Sequence, residues 1–201
     1  MSQMSGRVNT PISIGELERR WGLIRLAMEE QGIDVLLMQN NNDHMGGYTK
    51  YVTDIPATNG YPVTIVFPLD GGMTQVNQGP FGMVKDLDIN GSDGIHRGVT
   101  TLMTTPSYAC ASYTRDYDPM LICKALKPYK NGTIGLVGTY QMSFAMVDYV
   151  KRQFPKATYI EASDLVDQIK VIKSDEELEL IKGTARQQVA SMEAVIKEIR
   201  P

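Results

Sequence analysis

The stretch SIGELERRWGLIRLAMEEQGIDVLLM, residues 13–38, decides how the chain is read. Ser13-x-x-Glu16 has the spacing of a capping box, in which a hydroxyl and a carboxylate satisfy the first free amides of a helix. Leu17, Trp21, Ile24 and Met28 follow at offsets of 4, 3 and 4, which places them on one helical face. Gly32 suits the residue past a helix C-terminus, where a left-handed backbone costs least. The spacing therefore predicts a helix from Ile14 to Gln31. The short apolar run Ile33–Met38 then reads as a buried strand.

Working outward, the same alternation continues. Val63–Phe67 reads as a strand, Asp70-Gly71-Gly72 as a hairpin turn and Met73–Val76 as the return strand. Gly98–Met103 is a further strand, and residues 79–97 carry no clear period. Asp118-Pro119 has the pattern of an N-cap followed by Pro at N1, ahead of an amphipathic helix through Leu121, Ile122, Ala125, Leu126 and Tyr129. Thr133–Val137 is a strand, Met142–Phe154 a helix, Thr158–Ile160 a strand and Asp164–Ile169 a short helix. Alternating helices and strands predict a layered α/β domain over residues 13–171, and the hairpin makes its sheet mixed.

The segment NNNDHMGGYTKYVTDIPATNGY, residues 40–61, breaks the pattern. It reads as a polar, aromatic, turn-prone loop just past the C-terminal end of a strand, where α/β sheets usually meet ligands and partners. Its candidate site residues are His44, Tyr48, Tyr51 and Asp54. The plainer readings are a surface histidine, tyrosine rings packed on the sheet edge with wet hydroxyls, and an aspartate capping a turn. His96-Arg97 reads as an anion contact or, more plainly, as solvated surface. Gly135-x-x-Gly138 lacks the full dinucleotide fingerprint and any Walker lysine. Cys110 is a nucleophile only if a histidine base lies beside it.

Composition excludes several classes. The 201 residues are 42% hydrophobic and 21% charged with a net charge of −3, which is globular and offers no cationic footprint for nucleic acid. Two cysteines and two histidines exclude a zinc finger or an H-E-x-x-H site. No metal ligands and no catalytic residues are assigned within the chain. The absence of a signal peptide, of a membrane span and of a cysteine framework predicts a cytoplasmic protein.

Residues 172–201 form a second part. Ser174-x-x-Glu177 is another capping box, and Leu178, Ile181, Ala185, Val189, Met192, Ile196 and Ile199 continue at offsets of 3 or 4. A helix of about 25 residues is about 38 Å long, more than the roughly 26–35 Å diameter of a domain this size. Its apolar stripe calls for cover, because each such side chain is worth about 1.5–3 kcal/mol when buried. The cover is another chain or a following domain.

Three stretches resemble the N-terminal domain of the creatinase / prolidase / aminopeptidase P family. ELERRWGLIRLAMEEQGIDVLLM resembles the family's opening helix and first strand. KYVTD at Lys50–Asp54 matches its Tyr-x-Thr/Ser-Gly segment, with Asp54 in place of the glycine. IKVIKSDEELELIKGTARQ at Ile169–Gln187 resembles the linker that opens the catalytic domain. The resemblance implies a three-layer α/β/α domain on a mixed sheet, then a linker helix leading into a catalytic domain absent from this chain. In metal-dependent members two Asp, one His and two Glu of that domain hold two divalent ions (Mn, Co or Zn). It implies a hydrolase of the Xaa-Pro peptidase class, with a small peptide or amino-acid-derived substrate. This chain would be a non-catalytic module that serves dimerisation and shapes the active-site entrance through the segment around Tyr51. The alternatives are a free-standing α/β ligand-binding protein dimerising through its terminal helix, and a small enzyme using Cys110 or His44.

Overall fold

The computed structural model describes residues 11–42, 47–57, 60–89, 93–108 and 111–200. It separates into two compact units, one through Ile169 and a second from Lys170 onward.

The first unit is built on the expected alternation. In chain order the elements are α1 (Ile14–Glu30), β1 (Val35–Asn40), α2 (Tyr48–Thr53), β2 (Val63–Pro68), β3 (Met73–Gln78), β4 (Met83–Asp86) and β5 (Val99–Thr105). Then come α3 (Tyr117–Leu126), β6 (Thr133–Val137), α4 (Phe144–Gln153), β7 (Thr158–Glu161) and α5 (Ser163–Val171). The strands form one seven-stranded sheet in the order β4-β5-β3-β2-β1-β6-β7. β2 and β4 run antiparallel to their neighbours and the other strands are mutually parallel, so the sheet is mixed.

Side chains alternate across that sheet. Val35, Leu37, Val66, Ile134 and Leu136 point to one face and pack with Leu121, Ile122 and Leu126 of α3 and Met146 and Val150 of α4. Leu36, Phe67 and Gly135 take the other face: Arg25 of α1 lies over the Phe67 ring, and a Cβ on Gly135 would meet Leu36. On that side α1, α2 and α5 complete a three-layer α/β/α sandwich. The fold class read from the sequence is therefore present.

Two local expectations differ, and one strand lies where the sequence shows no clear period. The stretch 40–61, read as loop, contains α2. Its six residues are too few for an isolated helix to persist, and distant groups hold both ends. Asn40 Oδ1 accepts from Thr49 N at 2.9 Å. Arg20 Nη1 donates to Tyr51 O at 2.9 Å and Trp21 Nε1 to Val52 O at 2.7 Å. Strand β4 lies within residues 79–97, where the sequence carries no clear period. Asp118, read as an N-cap, lies inside the first turn of α3; Asp116 holds the N-cap position and makes no side-chain capping bond.

The second unit holds α6 (Asp175–Glu198). Ser174 Oγ accepts from Glu177 N and the Glu177 carboxylate accepts from Ser174 N, a complete capping box. Along its length Ile181, Val189, Met192, Val195 and Ile196 are 52–62% exposed. No helix among the described residues is long and apolar enough to cross a membrane.

Candidate functional site

The site singled out by the sequence is the segment around α2. Its foundation is on α1, where the buried Glu16 carboxylate receives Arg19 Nε and Arg20 Nε, each at 2.8 Å. Two guanidiniums on one buried carboxylate offset the cost of taking it from water. Arg20 then extends its plane over the Tyr51 ring, 4.3 Å from the centroid, while donating to the Tyr51 carbonyl. One buried arginine thereby fixes both the ring and the backbone of Tyr51, which is 7% exposed.

Tyr48 is deeper, at 2%. Its ring rests against Gly138, whose backbone sits at φ +80 and where an added Cβ would stand 3.1 Å from the ring. The Tyr48 hydroxyl is not wet: it donates to Asp167 Oδ2 of α5 at 2.9 Å. Burial and the neighbouring Asp167 and Tyr140 push its pKa well up, so it stays neutral. Gly135 is equally a packing residue, since a Cβ there would lie 2.6 Å from Leu36 Cδ2. Close packing thus accounts for both glycines of the Gly135-x-x-Gly138 pattern.

Asp54 ends α2 in the left-handed region at φ 60, the one non-glycine among the described residues to do so. The strain is offset by its carboxylate, which accepts from Ile12 N at 3.0 Å and from Arg97 Nη2 at 2.7 Å. Arg97 also donates to the Ile12 carbonyl. Arg97 is therefore a structural clamp rather than solvated surface, and His96 Nδ1 sits 2.7 Å from Asp93 Oδ2. The segment reached by Asp54 and Arg97 is the entry to α1, so the candidate loop, the start of the domain and the β5 approach are tied at one point.

The structure brings Tyr48, Tyr51 and Asp54 onto one short helix and its C-cap. His44 lies outside the described residues, as does Cys110. Sequence reading missed the partners, Arg20, Arg97 and Asp167, because nothing local announces a contact across 31, 43 or 119 residues. Burial pushes the Cys123 thiol up to about 11, which leaves it unreactive at neutral pH. Among the described residues no three His, Cys, Asp or Glu side chains gather as a metal site.

No family model matches the sequence, and no curated protein matches it significantly. Solved structures do share the fold. An Xaa-Pro dipeptidase from Bacillus anthracis aligns over 92% of this chain and 44% of its own, at 17% identity and a TM-score of 0.62. A prolidase from Thermococcus sibiricus aligns over 94% of this chain and 46% of its own, at 13% identity and a TM-score of 0.63. An Xaa-Pro aminopeptidase chain from Streptococcus pyogenes aligns over 78% of this chain and 98% of its own, at 15% identity and a TM-score of 0.52. The likeness at these identities is one of fold. The chain spans less than half the length of the dipeptidase and prolidase chains.

Proposed function

We propose that this chain is the non-catalytic N-terminal part of a creatinase / prolidase / aminopeptidase P-like hydrolase acting at Xaa-Pro bonds in the cytoplasm. One observation carries the reading. The fold continues through more than nine-tenths of this chain alongside peptidase chains more than twice as long. The exposed apolar stripe of α6 supports it, since those side chains gain about 1.5–3 kcal/mol each on burial. In this reading the following catalytic domain covers the stripe, two chains pair, and the α2 segment shapes the entrance to the active site. Tyr51 and Asp54, clamped by Arg20 and Arg97, form a rigid rim for that purpose.

The described residues do not fit a two-ion centre. In this reading any pair of divalent ions is held by the catalytic domain. The test is direct. The isolated chain, supplied with Mn²⁺, Co²⁺ or Zn²⁺ and an Ala-Pro dipeptide, shows no turnover above the ions alone. Turnover that survives dialysis and titrates with chain concentration overturns the reading.

A further inference from the structure

A cavity of about 230 Å³ opens on the α3/α4 side of the sheet. Topology puts it there. β1 and β6 are parallel neighbours, yet the chain leaves β1 toward β2 on one side and leaves β6 toward β7 on the other. Loops that diverge in this way leave a crevice beyond the carboxyl ends of the two strands, where open α/β sheets take small ligands. Gln39 and Asn41 line it from the end of β1, Gln141 and Ser143 from the loop after β6, and Ser107 from the loop after β5. The first turns of α3 and α4 border it, so two helix N-termini contribute partial positive charge.

Three features separate it from a packing defect. Asp118 lines the cavity with a side chain in a residue only 6% exposed, and its hydrogen-bond partner is the Ser107 side chain. Burying a carboxyl this way is unfavourable, and burial drives it up to about 6. Such a cost is usual where a charge serves a ligand. Arg115 lines the same cavity but does not pair with Asp118; its Nε lies 3.2 Å from Asp116 Oδ1 at an exposed position. Asn41 Oδ1 is shielded from solvent and has no hydrogen-bond partner among the described residues.

We propose that this cavity binds a small zwitterion of the free α-amino acid class. Its carboxylate lies toward Arg115 and the helix N-termini, and its ammonium toward Asp118 and the Asn41 oxygen. A plain anion would face the Asp118 carboxylate and a plain cation would face the guanidinium, so one charge of each sign fits where either alone does not. The volume is below the roughly 300–1,000 Å³ of pockets for drug-sized ligands, which limits the guest to a few heavy atoms beyond the two charged groups. Asn41 belongs to the stretch 40–61, but Tyr48, Tyr51 and Asp54 do not line the cavity, and the proposal stands whether or not the chain is part of a hydrolase.

Calorimetric titration of the 201-residue chain with L-alanine near neutral pH tests it, with acetate and methylamine as probes of a single charge. Saturable L-alanine binding is expected, weaker by at least about tenfold in Arg115→Ala and in Asp118→Asn, because each loses a charge-assisted hydrogen bond. Acetate and methylamine bind more weakly than L-alanine. Should Asp118→Asn fail to fold by circular dichroism, Arg115→Ala, altered at an exposed side chain, carries the test. The proposal is overturned by no L-alanine binding up to about 10 mM, by unchanged affinity in the folded variants, or by acetate binding as tightly as L-alanine.

Discussion

At Asp54 the backbone and the side chain pull in opposite directions. A left-handed conformation costs an ordinary L-residue roughly 1–2 kcal/mol, and Asp54 adopts one at φ 60. The carboxylate compensates through Ile12 N and Arg97. Asp54→Ala keeps the strain and loses both contacts, and should cost about 2–3 kcal/mol in urea unfolding. Asp54→Gly loses the contacts but relieves the strain, and should be less damaging by about 1 kcal/mol. An alanine variant as stable as the glycine variant would contradict this account. Asp118 carries the opposite cost. Its folded pKa of about 6 exceeds the unfolded value of about 3.9. The stability it contributes is therefore full below about pH 4 and drains as pH rises through about 6. Asp118→Asn should be more stable than the parent chain at pH 8 by roughly 2–3 kcal/mol, and the difference should shrink toward pH 4. Equal stability of the two at pH 8 would show that the carboxyl is better solvated than its position implies.

At the scale of the elements, α2 is the informative case. Its ends are completed by Arg20, Trp21 and Asn40, so its persistence depends on tertiary contacts rather than on helix propensity. Trp21→Phe keeps most of the ring but removes the bond to Val52 O, and should cost about 1–2 kcal/mol. Amide exchange should rise in Tyr51–Asp54 more than in β1 or β2; a uniform rise across all three would deny α2 its special dependence. The same case shows what the sequence could reveal. Leu17, Trp21, Ile24 and Met28 announce α1 because their period is local, and Ile134 and Leu136 announce β6 likewise. Nothing local announces α2, whose stabilising groups come from elsewhere in the chain. Nor does Met83–Asp86 announce β4, an edge strand whose half-exposed side chains need no alternation. The candidate site was legible as a composition, Tyr48, Tyr51 and Asp54 in an Asn/Gly-rich stretch, but not as a geometry. Asp118 was visible only as a helix-start signal, because burial cannot be read from one residue and its neighbours.

At the scale of the whole molecule, the two units differ in how they satisfy their apolar residues. The first buries them on both faces of its sheet. The second is a 24-residue helix, about 36 Å long at 1.5 Å per residue, with five apolar side chains more than half exposed between Ile181 and Ile196. In the proposed reading that stripe is the surface the following domain covers. Fluorescent apolar dyes should bind the isolated chain, and binding should fall when Ile181 and Val189 are replaced by lysine while the far-UV spectrum is retained. Dye binding indifferent to both changes would place the exposed apolar surface elsewhere. The central claim concerns what covers the stripe in the cell. Its most direct test is the intact mass of the native protein, detected by mass spectrometry through peptides of residues 13–171. A product more than double the 22.3 kDa of this chain is expected, and a native product of 22.3 kDa would contradict the account.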